Sequence, residues 1–171
     1  MENSDIAPEY LAQKASDGNE ECFVALCNLM KTKLFRTAKG VLGNESLALD
    51  AVSETIFRAY KGIKQLRQPK YVETWFVRIA LNVSNDFYRR QKREIVMEAV
   101  PEGISYDDHS ELAFAQMIES LQPELREIIS LKYYSDYTLN EISNILNIPE
   151  GTVKSRLNRA LNLLRLEALY E

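Results

Sequence analysis

Two cysteines and one histidine are all that this 171-residue chain offers to metal binding or nucleophilic chemistry. Cys22 and Cys27 stand five apart without a second pair, which is neither a zinc spacing nor a redox CxxC. Two reduced, buried thiols on one helix fit better. His109 lies in an acidic run, so neither a catalytic triad nor a histidine-based metal site can be assembled. No metal and no cofactor are expected. Long apolar runs are missing too: none approaches the roughly 20 residues of a membrane span, and the acidic start MENSDIAPEY is not that of a secretory signal. The expectation is a cytoplasmic chain with no direct membrane insertion. There is no internal repeat and no convincing strand. A basic excess is also absent: the net charge is −4 and the pI about 5.2, whereas a free-standing DNA binder is usually basic.

What is present is unevenly spread. Residues 1–21 hold six acids against Lys14 alone, and residues 94–113 hold six acids with no Lys or Arg. Residues 70–93 carry six basic residues against Glu73 and Asp86, a local charge of +4. Phosphate neutralisation dominates affinity for DNA. Such a chain should bind DNA weakly alone and more strongly when a partner supplies further contacts.

The most informative stretch is TLNEISNILNIPEGTVKSRL, residues 138–157. Thr138 followed by Glu141 is a capping box, and Leu139, Ile142, Ile145 and Leu146 recur at helical spacing. Asn147 suits a left-handed helix end, and Pro149 suits the first turn of the next helix. That helix places Val153, Leu157, Ala160, Leu161 and Leu164 on one side, and Lys154, Ser155, Arg156, Asn158 and Arg159 on the others. Two helices with a short turn, the second polar and basic outside, describe a helix-turn-helix whose second helix enters the major groove. Lys and Arg can donate to guanine, Asn can pair with adenine, and Ser can serve either. A solvated helical hairpin with idle charges is the alternative.

Upstream, a short helix is expected from about Pro8, broken at Ser16-Asp17-Gly18. A second, over about 19–41, has Phe23, Leu26, Cys27, Met30, Leu34, Ala38 and Leu42 as its apolar stripe. A third, from about Glu45 to Gly62, can turn Leu49, Val52, Ile56, Ala59 and Tyr60 or Ile63 to the core. Its second face groups Asp50, Ser53, Glu54, Phe57 and Arg58. Phe57 beside acids is either a buried ring or an exposed docking residue. After the basic loop 64–70, a long helix over about 71–93 has an apolar stripe (Val72, Trp75, Phe76, Ile79, Ala80, Val83, Phe87). Its polar stripe is Arg78, Asn82, Asn85, Arg89 and Lys92. Trp75 and Phe76 therefore read as core, and Tyr71 and Tyr88 as candidates for exposed aromatic surface. Residues 94–111 read as an acidic, turn-rich linker. A helix over 111–120 follows, then one starting at Gln122-Pro123-Glu124 with Leu125, Ile128, Ile129, Leu131 and Tyr134 apolar. The fold class is all-α, with two small helical domains, 1–95 and 111–171, joined by an acidic linker over 96–110.

Taken together and in order, these motifs resemble the extracytoplasmic-function (ECF) sigma factors, the smallest bacterial members of the sigma-70 family. Residues 50–60 (DAVSETIFRAY) look like the family's region 2.2, with Ser53 where a glutamine is common. Residues 74–82 and 86–90 look like regions 2.3 and 2.4, and residues 121–127 and 148–157 like region 4. The resemblance implies a non-enzymatic factor that directs promoter-specific initiation by RNA polymerase in an envelope stress response. Asp50, Ser53, Glu54 and Phe57 would dock on the clamp helices of the largest polymerase subunit. Lys64, Arg67, Lys70, Tyr71, Arg78, Asn82, Asn85 and Arg89 would take the melted −10 element. Lys154, Ser155, Asn158 and Arg159 would read the −35 element, with Arg156 on phosphate. The chain would be a monomer when free, restrained by a cognate anti-sigma factor, often membrane-anchored.

Two other classes compete. A helix-turn-helix repressor would use residues 1–95 to sense or dimerise and would bind a palindrome without polymerase. A metal-dependent nuclease could share a cation between Asp50 and Glu54, but no third ligand converges on them.

Overall fold

The computed structural model describes residues 7–97, 117–118 and 120–170, with backbone only for 94–97 and 166–170, and all regular structure among the described residues is helical. α1 (Pro8–Ser16) begins with its proline in the first turn and ends before Gly18, whose φ of +98° is left-handed. The two following helices share one starting device. The Asn19 side chain accepts from the Cys22 amide at 2.8 Å to open α2 (Glu20–Leu42), and Asn44 accepts from the Leu47 amide at 2.9 Å to open α3 (Glu45–Gly62). Each carbonyl oxygen satisfies one of the orphan amides of a helix start.

α2 is the central post. Leu26, Met30 and Leu34 are buried against α1, α3 and α4 (Val72–Met97), as its apolar stripe requires. The stripe on α4 also holds: Val72, Phe76, Ala80 and Val83 are buried, and Trp75 is half-buried with its ring edge-on to Phe76 at 5.3 Å. α3 differs from expectation. Its buried face is Ala48, Ala51, Thr55 and Ala59; Leu49 is more than half exposed, and of the alternatives Tyr60 and Ile63 it is Ile63 that is buried. Small side chains let α3 approach α2 and α4 closely, and that packing turns the larger residues to the surface. Tyr88 also departs from expectation: it is half-buried, with the Arg126 guanidinium 3.4 Å from its ring centre.

α4 continues through Met97, two residues past the boundary expected at 95. Linker residues 98–110, His109 and most of the helix expected over 111–120 lie outside the described residues. The second half resumes with α5 (Pro123–Ile129), which widens into a π-helical turn, Ser130–Tyr134, rather than continuing as one α-helix. The Ser135 amide closes that turn on the Ser130 carbonyl at 3.1 Å. The helix-turn-helix is α6 (Leu139–Leu146) and α7 (Glu150–Tyr170). Its capping box is formed in both directions, and Asn147 adopts the left-handed φ of 53°. The Pro149 carbonyl accepts the first α7 bond from Val153 at 3.1 Å.

The two halves pack on one another. A single apolar cluster joins Leu26, Leu34 and Phe76 to Ile128, Leu131, Ile142 and Val153, and a smaller one around Ile129, Ala160 and Leu164 closes the second half. At the closest approach, a Cβ on Gly40 would fall 2.5 Å from Ser130 Oγ and 2.9 Å from the Tyr134 ring, so no larger residue fits there without movement.

Candidate nucleic-acid and protein interfaces

α7 presents the side chains expected of a recognition helix. Val153 and Ala160 face the core, which fixes the helix's rotation and turns Lys154, Ser155, Asn158 and Arg159 to solvent. Arg156 is half-buried at the edge of that face. Lys154 makes an i,i+4 ion pair with Glu150 at 3.1 Å, and Ser155 Oγ donates to the Thr152 carbonyl at 3.0 Å. Both contacts are local and exposed, so either can yield to a base or a phosphate.

The residues expected on the −10 element divide in two. Lys64, Arg67, Lys70 and Tyr71 lie exposed on the connection between α3 and α4, which is shaped by two 3₁₀ turns, Ile63–Gln65 and Pro69–Tyr71. Lys70 Nζ sits 4.7 Å from the Tyr71 ring centre, pairing a cation with an aromatic face as a stacked, phosphate-linked base requires. On α4, Asn82 is exposed and Arg89 Nη2 donates to Asp86 at 2.6 Å. Arg78 and Asn85 are instead bonded to the second half. Arg78 donates to two α6 carbonyls, and Asn85 donates to Glu127 Oε1 at 2.5 Å.

The third group lies on α3. Asp50 and Ser53 are exposed, and Phe57 is 51 % exposed, with Lys61 Nζ 4.0 Å from its ring centre. Leu49, also exposed, extends this apolar surface, although sequence spacing assigned it to the core. Glu54 is not free: Arg58 Nε donates to it at 2.7 Å and Arg58 Nη1 to Asp86 at 3.3 Å, tying α3 to α4. Hydrogen bonds from Arg89 and then Arg58 hold the Asp86 carboxyl below its ordinary pKa, against partial desolvation.

Sequence reading missed the residues between the halves. Arg126 is buried at 1 % exposure, and its Nε and Nη1 have no hydrogen-bond partner among the described residues. Its guanidinium stacks on Tyr88 instead. Next to it, burial raises the Glu127 pKa, opposed by the bond from Asn85. Only the unusual pairing of Arg and Glu inside an otherwise apolar helix turn hinted at them. Cys27 is buried, which pushes its thiol up to about 11, while Cys22 is half-buried rather than enclosed. A thiol so protonated is a poor nucleophile. No group of three or more His, Cys, Asp or Glu side chains gathers for a metal among the described residues, and no described helix is long and apolar enough to cross a membrane.

Comparison with known proteins places these surfaces in context. The family model for sigma-70 region 2 matches residues 26–94, and that for sigma-70 region 4 matches residues 111–164. The ECF RNA polymerase sigma factor SigW of Bacillus subtilis (strain 168) is 31 % identical over 172 residues, covering 90 % of this chain and 92 % of the relative. The RNA polymerase sigma factor SigV of the same organism is 31 % identical over 147 residues, covering 82 % and 87 %. Among solved structures, CnrH in complex with the cytosolic domain of CnrY matches at a TM-score of 0.76 and 23 % identity, covering 97 % of this chain and 99 % of that one. The sigma factor RpoE of Bartonella quintana, crystallised with the anti-sigma factor NepR, matches at 0.59 and 22 % identity, covering 79 % and 89 %.

Proposed function

This chain belongs to the ECF group of the sigma-70 family and directs promoter-specific transcription initiation by RNA polymerase, and we propose that it divides that work among three surfaces. Residues 1–95 form the unit that docks on core polymerase and takes the −10 element, 96–110 the linker, and 111–171 the unit that reads the −35 element. Asp50, Ser53, Glu54 and Phe57 on α3, with Leu49 added to them, meet the clamp helices of the largest polymerase subunit. The connection Lys64–Tyr71 and the α4 residues Arg78, Asn82, Asn85 and Arg89 hold the melted −10 strand. Lys154, Ser155, Asn158 and Arg159 on α7 read the −35 duplex, and Arg156 contacts its backbone.

The observation that carries this reading is the exposure of Phe57 and of the α7 polar face on separate elements, each fixed in rotation by buried neighbours. An exposed aromatic flanked by Asp50 and Ser53 suits a protein partner, while exposed Lys, Ser, Asn and Arg on one helix suit base edges. Each surface is small. Held at a fixed separation by polymerase, the two DNA-reading surfaces act bivalently, which is how a chain of net charge −4 can select promoters. The chain acts in the cytoplasm, as a monomer when free, and is restrained by a cognate anti-sigma factor, the kind of partner with which Bartonella RpoE was crystallised.

The test is reconstitution. The purified chain mixed with sigma-free bacterial core polymerase should initiate transcription at a defined subset of a host promoter pool. Tight sequence-specific DNA binding by the chain alone, with neither core binding nor initiation, would contradict the proposal.

A further inference from the structure

Of the described glycines, one has no reason within the chain to be glycine. Gly18 and Gly43 hold left-handed backbone, and a Cβ on Gly40 or Gly62 would press on Ser130 or on Trp75. Gly151 does neither. It is helical and exposed, and a Cβ there would meet nothing within 4 Å among the described residues. Glycine is a poor helix former, because it loses the most backbone freedom on folding. Nor does the preceding turn need that freedom. Ser143 Oγ donates to the Ile148 carbonyl at 2.6 Å, and the Thr152 and Val153 amides donate to the Pro149 carbonyl at 2.9 and 3.1 Å, so the start of α7 is already fixed. What a bare position on a rigid, exposed helix does permit is the close approach of another molecule to the backbone.

The place of Gly151 on α7 says which molecule. Gly151, Lys154, Ser155 and Asn158 stand at i, i+3, i+4 and i+7 and are all exposed, so they share one face. That face is the one assigned above to the −35 duplex, and the N-terminal end of a recognition helix lies nearest the base edges. Beside Gly151, Glu150 is half-buried and holds Lys154 Nζ at 3.1 Å. A carboxylate in a first turn suits the helix dipole. On the rim of a DNA-reading face it does more. Phosphate repels it, and cytosine N4 is the base donor that a glutamate accepts from in the major groove. Lys154, one turn on, has the complementary preference for guanine O6 and N7.

We propose that the first turn of α7 belongs to the −35 reading surface, with Gly151 the point at which the duplex comes closest and Glu150 the selector of a cytosine beside it. The inference rests on the assignment of −35 recognition to α7. In the free chain Glu150 and Lys154 pair with one another; on the duplex the same carboxylate and ammonium turn to neighbouring C and G. The exchange is easy because the ion pair is exposed. An alanine methyl at 151 occupies space that the duplex needs, so it improves the helix and worsens the complex.

The test uses full-length wild type, Gly151→Ala and Glu150→Gln with sigma-free core polymerase, on a promoter that wild type uses, randomised across its −35 region and read by sequencing the RNA. Core binding and thermal midpoint are measured for each chain. Gly151→Ala should keep or raise the thermal midpoint, keep core binding, and lose about tenfold in initiation on every sequence. Glu150→Gln should lose about tenfold of the preference for cytosine at one position and gain adenine there, because glutamine pairs with adenine. Unchanged initiation by Gly151→Ala would overturn the proposal, as would a lowered midpoint, which would make the glycine a requirement of folding. A Glu150→Gln profile that is unchanged, or altered only in guanine preference, would also overturn it, the latter because Glu150 would then merely restrain Lys154. Failure of wild type itself to initiate would count against the sigma-factor reading instead, and the midpoint of Gly151→Ala would still bear on this inference, a lowered value overturning it.

Discussion

Phe57 is the residue proposed above to anchor polymerase docking. Its ring is half in solvent with Lys61 above it, so truncation should cost little in folding. Phe57→Ala should weaken core binding while leaving the thermal midpoint within about 2 °C, because substitutions at exposed sites usually change stability by less than about 0.5 kcal/mol. Loss of several degrees, with binding retained, would return Phe57 to the core. On α7, Arg159→Ala should cost about 1–3 kcal/mol at one −35 base pair if the contact is direct. Equal weakening on every sequence would reduce Arg159 to a phosphate contact. Glu127 gives a pH signature. Burial raises its folded pKa above the ordinary glutamate value, so the stability it contributes is fully present below that value and is lost as pH rises through the folded one. Glu127→Gln keeps an acceptor for Asn85 and removes the charge. The variant should gain thermal stability relative to wild type as pH rises from about 4.3 toward neutrality, and parallel pH profiles would contradict this. Glu141 runs the other way. Its capping bonds to Thr138 lower its pKa, so its contribution is present above the ordinary value and is lost as pH falls.

At the scale of elements, the helix starts and stops were legible because single side chains decide them. Asn19, Asn44 and Thr138 each supply an oxygen to an orphan amide, and Gly43 and Asn147 accept left-handed backbone. Thr138→Ala removes both directions of the capping box and should cost about 1 kcal/mol by denaturant midpoint, and no loss would mean that tertiary packing alone holds α6. The face of α3 was less legible. Spacing arguments favour large apolar residues for the core, so they place Leu49 inward, whereas close helix approach selects Ala48 and Ala51; Ala59 is buried as expected, and of the pair Tyr60 or Ile63 it is Ile63 that faces the core. The π-helical turn at Ser130–Tyr134 was not legible either. It packs against Gly40 and Thr37 from far along the chain, contacts that no local window contains.

At the scale of the whole molecule, separate surfaces could be read from sequence, and their mutual placement could not. The alternation of acidic and basic segments led to the expectation of weak DNA binding alone and stronger binding with a partner. The packing of the halves includes long-range pairs such as Arg78 with the Ile145 carbonyl and Asn85 with Glu127, in which Arg78 and Asn85 are residues that sequence reading treated as DNA contacts. In the proposed division of work, −10 and −35 recognition reside on α4 and α7 of one polymerase-bound chain. The measurement that tests it most directly is sequencing of RNA 5′ ends made from a host genomic library by core polymerase with wild-type chain, Asn82→Ala or Arg159→Ala. Wild type should initiate at sites sharing two upstream motifs, with Asn82→Ala relaxing only the nearer and Arg159→Ala only the farther. Relaxation of the same motif by both variants, or start sites with no shared motif, would contradict it.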